Sequence, residues 1–239
     1  MPKTFQDYSD DRHKGRCFHC GFPIGTHETN REHIPTKSLL VKPFPRDLPV
    51  IKVCSKCNES YSKDEEYLSA FISAVLSGTV EPDQQKLEIG RRVFSRNSAL
   101  KNRIQRSKRE FETLSGGRET VWMPETKRIE RIAEKNARAH AFFENGEPMF
   151  TKPTQVLVFP LVTAADDLLA AFFGDGGSFD IWPEVGSRWM QRLLAEPSFD
   201  SDGFFLLQPD VYRFRLEFCA GLTVKSILHE YLATWVSWD

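Results

Sequence analysis

Long apolar runs and a strong net charge are both missing from this chain. No stretch approaches the roughly 18 consecutive apolar residues that a membrane-spanning helix requires, and the segment MPKTFQDYSDDRHKGR at residues 1–16 is polar, with no signal-peptide core. With 40% hydrophobic residues and a formal charge of −1, the composition is that of folded proteins and not of disordered ones. We therefore expect a soluble, cytoplasmic protein without a membrane partner.

The near-zero total charge hides a segregation of charge along the sequence. Residues 86–140 carry fifteen Lys and Arg against seven Asp and Glu, whereas residues 141–239 carry six against fourteen. A basic block inside a neutral protein is compatible with a phosphate-binding face, and also with an ordinary solvated helix surface.

Cysteine is scarce but patterned. Four of the five cysteines form two C-x2-C pairs, Cys17 with Cys20 and Cys54 with Cys57. Disulfides are disfavoured in the cytosol, and two such pairs are a common way to place four thiolates around zinc. Four thiolates leave no open coordination position, so we expect a structural zinc ion. The fifth cysteine, Cys219, is expected to be a buried small hydrophobe.

Hydrophobic periodicity predicts an α+β fold with a change of character along the chain. A capping box at Ser62 to Glu65 predicts a helix start. Helices are also expected after Pro82 with a break around residues 95–98, over 99–114, and from Pro124 to near Gly146. Strands are expected at 155–162, 203–208 and 211–219, a short helix is expected after a cap formed by Thr163 and Asp166, and another helix over 183–196. Residues 222–238 suit a long bulged strand or a helix, and we favour the strand. We thus predict three domains: a zinc-stapled region at 1–80, a basic helical region at 81–150 and an α+β region with a small sheet at 151–239.

Chemistry-bearing residues lie in the loop between the two cysteine pairs. This loop contains Arg31-Glu32-His33-Ile34-Pro35, and Asn58 follows the second pair directly. Closure of both pairs on one zinc would clamp the loop base and bring Glu32 and His33 near Asn58. A carboxylate and an amide oxygen suit Mg²⁺ or Mn²⁺, and a nearby imidazole can deprotonate water. The set predicts a metal-dependent phosphodiesterase.

These motifs resemble the zinc-knuckle branch of the HNH endonucleases, with an EH-x-P segment followed by C-x2-C-N. The resemblance covers about residues 15–67. It implies a ββα-metal fold and hydrolysis of DNA to a 5′-phosphate and a 3′-hydroxyl. By the same resemblance His33 is the general base, and Glu32 and Asn58 hold the catalytic divalent cation.

The sequence departs from the family pattern at two points. Many members have an asparagine shortly before the second pair that orients the histidine, and residues 47–53 contain none. We expect Asp47 or a backbone carbonyl to hold His33 instead. The residue before the histidine is also a glutamate where aspartate is commoner. Of the other histidines near the first pair, His19 and His27 are expected to be solvated.

Basic side chains are expected to hold the nucleic acid. The residues predicted to contact phosphate are Arg31, Lys37, Arg91, Arg92, Arg96, Lys101, Arg103 and Arg106. The expected partner is DNA, with RNA left open, and no base-reading motif is recognisable. Two alternatives stand beside the nuclease hypothesis. One is a zinc-stabilised module that binds nucleic acid or protein without catalysis. The other is a defence or mobile-element effector whose nuclease stays inert until the C-terminal region senses a ligand or partner. The protein partners considered are a second copy of the chain, in a homodimer, and a regulatory protein.

Overall fold

A computed structural model gives the fold of the chain, and it describes residues 6–112, 118–174, 182–195, 198–219 and 221–239. The chain divides into two compact units. Unit 1 contains Met1–Ser60 and Ala133–Asp239, and unit 2 contains Tyr61–Ile132. The fold is mixed α+β, as predicted. The domain division at residues 80 and 150 stays a prediction. Within the described part of the chain, no helix is long and apolar enough to cross a membrane.

Unit 1 begins with a β–β–α arrangement. Strand β1 (Thr29–His33) pairs antiparallel with β2 (Val50–Cys54), with His33 opposite Val50 and Thr29 opposite Cys54. Helix α1 (Ser55–Ser77) follows β2 without a connecting loop. The expected start at Ser62 was wrong, because the chain passes directly from β2 into the helix and the capping box lies within its second and third turns. The early start places Cys57 and Asn58 in the first turn of α1.

The rest of unit 1 is built around a five-stranded antiparallel sheet in the order β5-β9-β8-β7-β6. Its strands are β5 (Gln155–Pro160), β6 (Phe205–Gln208), β7 (Tyr212–Phe218), β8 (Leu222–Leu228) and β9 (Leu232–Trp238). The expected single strand over 222–238 is therefore a hairpin. His229 and Glu230 turn the chain with φ values of 51° and 48°, which is the left-handed geometry of tight hairpin turns.

Helices cover both faces of this sheet. Helix α4 (Thr126–Asn145) and helix α6 (Arg188–Ala195) bring His140 and Trp189 against Phe214 of β7. On the other face, helix α5 (Asp166–Phe173) places Phe172 in a cluster with Phe159, Phe204, Ile227 and Ala233. Cys219, expected to be buried, is exposed after the end of β7.

Unit 2 is largely helical and contains the basic segment. After α1, a short 3-10 turn precedes helix α2 (Glu88–Arg96) and helix α3 (Ser98–Gln105). The predicted break near residues 95–98 is confirmed. The helix expected over 99–114 ends at residue 105, and β3 (Lys108–Glu112) pairs with β4 (Arg118–Trp122) as an antiparallel hairpin. The β3 segment contains one apolar residue, Phe111, and therefore has no apolar stripe that a helix could bury.

Candidate metal centre and histidine site

Backbone geometry shapes the first cysteine pair into a tight knuckle. The Cys17 amide donates to the Phe22 carbonyl at 2.8 Å, and the Gly21 amide donates to the Cys17 carbonyl at 2.7 Å. Gly21 has φ of 75°, a conformation that glycine adopts without steric cost. The second pair has a different origin: Cys54 ends β2, and Cys57 lies one turn into α1.

All four sulfur atoms of Cys17, Cys20, Cys54 and Cys57 lie within 4.8 Å of one another. The Cys20 and Cys54 sulfurs are 3.7 Å apart. A tetrahedral zinc ion with Zn–S bonds of about 2.3 Å separates its sulfur ligands by roughly 3.8 Å. The cluster therefore fits a zinc ion, and the predicted ligand set is brought together by the fold.

The pKa values of three of the thiols indicate that the cluster binds a cation when all four are deprotonated. Burial raises the pKa of Cys54 to about 11, and burial also raises the pKa of Cys57. Burial acts in the same direction on Cys20, but hydrogen bonds led by that from the Phe22 backbone outweigh it and lower the Cys20 pKa. Four sulfurs this close can all be thiolates only when a cation neutralises them.

A small apolar core surrounds the knuckles. Cys17, Phe18, Ile34 and Val53 form one cluster with Ala139 and Phe142 of α4. The Phe18 and Phe142 rings stack with centroids 5.8 Å apart. The cysteine cluster is therefore part of the core of unit 1 and does not form a separate finger.

Glu32 lies on the core side of β1 with only 3% of its surface exposed. Its Oε1 is 2.8 Å from Nζ of Lys135, and its Oε2 is 3.0 Å from Nε2 of His19. Burial by itself would raise the Glu32 pKa, but the His19 hydrogen bond and the Lys135 charge outweigh it and hold the pKa below its ordinary value. Lys135 also donates to the Thr36 hydroxyl at 2.9 Å. Glu32 is thus the acid of a buried ionic network.

This network differs from the role predicted for Glu32. One carboxylate oxygen faces the Lys135 ammonium and the other faces the His19 imidazole, and a hard metal ion would have to displace one of these groups to bind. His19, expected to be solvated, has a side chain that is 3% exposed; the expectation for His19 was wrong, whereas His27 is exposed as expected. Sequence reasoning missed Lys135, because it lies about a hundred residues from Glu32 on a helix that reads as ordinary and basic.

His33 is the last residue of β1 and is partly exposed. Side chains alternate along a strand, so His33 and Arg31 lie on the face opposite Glu32. Burial, followed by the charges of Lys37 and Arg31, holds the pKa of His33 below its ordinary value, while Glu32 opposes this effect. The imidazole is therefore neutral at neutral pH and can accept a proton. Among the described residues, neither a side chain nor a backbone carbonyl hydrogen-bonds to the ring, so the expected contact with Asp47 or a carbonyl is not formed there.

Asn58 lies in the first turn of α1 and is partly exposed, without a hydrogen bond to Glu32 or His33. The structure thus places the three predicted catalytic residues on the same β–β–α segment, with Glu32 and His33 on β1 and Asn58 on α1. Apart from the four cysteines, the described residues contain no group of three or more His, Cys, Asp or Glu side chains placed to hold a metal. That set of ligand types does not include amides such as that of Asn58, so the binding of Mg²⁺ or Mn²⁺ by Glu32 and Asn58 stays a prediction.

The predicted phosphate contacts fall in both units. Arg31 and Lys37 are exposed in unit 1. In unit 2, Arg91, Arg92, Arg96, Arg103 and Arg106 are exposed, and Lys101 is partly exposed and ion-paired with Glu81 at 2.7 Å. The basic residues are thus available at surfaces of their own units.

No protein-family model, curated protein or solved structure matches the chain. The zinc site and the histidine must therefore be interpreted from their own chemistry.

Proposed function

We propose that this protein is a nuclease of the HNH type that hydrolyses phosphodiester bonds in DNA, with His33 as the general base. One observation carries the proposal: a four-cysteine cluster lies beside a β–β–α segment that carries a partly exposed imidazole, and the charges of Lys37 and Arg31, together with burial, lower the pKa of that imidazole. Arg31 and Lys37 would attract the phosphate, and His33 would take a proton from the attacking water.

The proposed step balances without a further reactant. The water oxygen forms a bond to phosphorus as its proton passes to His33, and the bond from phosphorus to the 3′-oxygen breaks. The leaving oxygen takes a proton from solvent, which gives a 5′-phosphate and a 3′-hydroxyl. Asn58 remains the candidate amide ligand for a divalent cation. Because Glu32 is engaged by Lys135 and His19, we assign no step to that cation and give Glu32 a structural role beside His33.

A second function is favoured by the same Glu32 network. A carboxylate fully paired inside the core, beside a histidine that no side chain orients, also suits a zinc-stabilised module that binds nucleic acid or protein without cleaving it. Roles as a defence or mobile-element effector, and assembly as a dimer, stay predictions of the sequence.

Cleavage of supercoiled plasmid and of RNA, with Mg²⁺ or Mn²⁺ added in turn, separates the two functions. We expect the wild-type protein to nick plasmid, and His33→Ala to lower the rate by roughly 10²- to 10⁴-fold, because that is the range that general-base catalysis contributes. His27→Ala is the matched control, since this exposed histidine lies on the same loop.

Equal nicking by wild type and His33→Ala would remove His33 from the role of base. Salt-sensitive binding by the wild type with no turnover in either metal would establish the binding module instead.

A further inference from the structure

Helices α2 and α3 of unit 2 meet at a single residue. The Asn97 amide donates to the Val93 carbonyl at 2.8 Å and so ends α2, while the Asn97 side-chain oxygen accepts from the Leu100 amide at 3.0 Å and begins α3. One residue with φ of −121° and ψ of 80° thus changes the direction of the chain. The buried side chains of the pair are Gly90, Val93, Phe94, Leu100 and Ile104.

The opposite side of α3 presents side chains of the types that read DNA bases. Asn102, Arg103 and Gln105 are all exposed, and Arg106, which follows the end of the helix, is exposed beside them and is free to contact a phosphate. Arg103 is 63% exposed in its side chain and makes one loose ion pair, 3.6 Å from Glu125. Arg106 makes no ion pair with a described residue. Arginine pairs with guanine edges, and asparagine and glutamine pair with adenine edges, so an exposed set of this kind suits base contacts.

The β3–β4 hairpin adds an exposed apolar face. Arg109 pairs with Val121 and Phe111 with Glu119 in the hairpin register, which puts Arg109, Phe111 and Val121 on one face. Phe111 is 54% exposed, Val121 43% and the following Met123 60%, whereas Trp122 on the other face is 8% exposed. Apolar side chains gathered on an exposed face mark an interaction surface.

Charge decides the kind of partner. Arg91, Arg92 and Arg96 are exposed on α2, and none of them pairs with a carboxylate in the described part of unit 2. Unneutralised arginines beside exposed Asn and Gln side chains complement a phosphate backbone with readable base edges. An acidic protein surface would pair with the arginines alone, whereas DNA pairs its phosphates with the arginines and also offers base edges to the Asn102 and Gln105 amides.

We propose that α2, α3 and the β3–β4 hairpin form a docking surface for double-stranded DNA, on which α3 faces base edges and the hairpin lies along the neighbouring backbone. The major groove of B-form DNA admits a helix, whereas the deep, narrow major groove of an RNA duplex does not. Phe111 and Met123 would contact sugars or a base step, as apolar side chains do in the minor groove. The proposal concerns unit 2 alone and stands whether or not His33 is catalytic.

Binding of full-length His33→Ala protein to a fluorescent DNA duplex of mixed sequence, with no divalent cation added, tests the surface without cleavage. Arg106→Ala should weaken binding and lower the slope of log Kd against log salt by about 1, as expected for one lost phosphate contact. Phe111→Ala should weaken binding while leaving the slope unchanged. The control Lys152→Ala, an exposed lysine of unit 1, should change neither.

Selection from a randomised duplex pool tests base reading. The parent protein should enrich a short motif, and Asn102→Ala should relax it at one position with a loss of roughly tenfold in discrimination. Circular dichroism verifies that each variant is folded. The proposal would be overturned by tighter binding to single-stranded DNA, duplex RNA or polyglutamate, by unchanged binding in both Arg106→Ala and Phe111→Ala, or by a pool with no enriched motif. None of these results depends on whether plasmid is cut.

Discussion

Glu32 shows how a residue's neighbours in space decide its role. As a sequence feature it precedes a histidine and looks like a metal ligand, but in the fold its two oxygens face Lys135 and His19. His33, one position further, emerges on the other face of β1 with a lowered pKa. Two adjacent residues therefore separate into a structural acid and a candidate base because side chains alternate along a strand.

Replacing Glu32 measures its structural role. Glu32→Gln leaves Lys135 buried without an anion, and we expect a loss of about 3–5 kcal/mol in the free energy of unfolding, as found when one partner of a buried pair is removed. The double variant Glu32→Gln with Lys135→Met should recover much of that loss, because it removes both charges. Urea unfolding at neutral pH measures both. Wild-type stability of the single variant together with lost metal-dependent cleavage would return Glu32 to the role of ligand.

At the scale of elements, α4 is joined to the sheet through a buried polar chain. Nε2 of His140 lies 2.9 Å from the Tyr212 hydroxyl on β7, which donates to the Ser226 hydroxyl on β8 at 3.0 Å. The His140 ring also stacks on Phe214 with centroids 3.8 Å apart. Burial, with a smaller effect of the Arg192 charge, lowers the pKa of His140 to about 3. The helix is therefore held to the sheet by a neutral imidazole.

The buried, neutral state of His140 predicts that the protein loses stability in mild acid. The unfolded protein binds a proton at His140 near pH 6.5, whereas the folded protein does so only near pH 3. The contribution of neutral His140 to the free energy of unfolding is thus fully present above pH 6.5. It falls by about 1.4 kcal/mol per pH unit as the pH drops from 6.5 towards 3. His140→Gln should show a shallower pH dependence than wild type in urea unfolding from pH 4 to 7. Parallel curves for the two proteins would contradict the assignment.

Elements that local signals define were predictable from sequence, and elements that distant contacts define were not. The spacing of Cys17, Cys20, Cys54 and Cys57 predicted the sulfur cluster, and the apolar spacing of α4 and the alternation of β7 predicted their elements. The hairpin of β8 and β9 was not predicted, because its left-handed turn is made by His229 and Glu230 and not by Gly or Asn, the residues that usually mark such a turn. The pairing of Glu32 with Lys135 was not predicted, because a local sequence pattern carries no information about contacts between residues so far apart in the sequence.

For the whole molecule, the discontinuity of unit 1 is the dominant feature. Its core joins Phe18 and Val53 from the first part of the chain to Ala139 and Phe142 from α4. The four-cysteine cluster and the large sheet are therefore parts of one folded unit. Loss of the metal should therefore destabilise the sheet as well as the two cysteine pairs.

Removal of zinc tests this coupling. Structural zinc contributes on the order of 10 kcal/mol of binding free energy in small zinc domains, which is comparable to the stability of a whole domain. We expect the wild-type protein to contain one zinc ion per chain, and a strong chelator or Cys57→Ser to remove it. Either change should also lower the Tm at which the five-stranded sheet unfolds. Elemental analysis and thermal unfolding followed by circular dichroism measure these changes. Cys219→Ser is the control, since Cys219 is exposed and outside the cluster, and an unchanged Tm after zinc loss would contradict the coupling.

The division of unit 1 into two stretches of chain also sets an order of events on the ribosome. Residue 32 leaves the exit tunnel about a hundred residues before residue 135, which at a translation rate of about 5–20 residues per second is a delay of roughly 5–20 s. During that delay the Glu32 carboxylate is without its lysine, and the half-core around Phe18 has no helix to cover it. The nascent N-terminal segment must therefore wait for synthesis to pass through the whole of unit 2 before it can bury its charge.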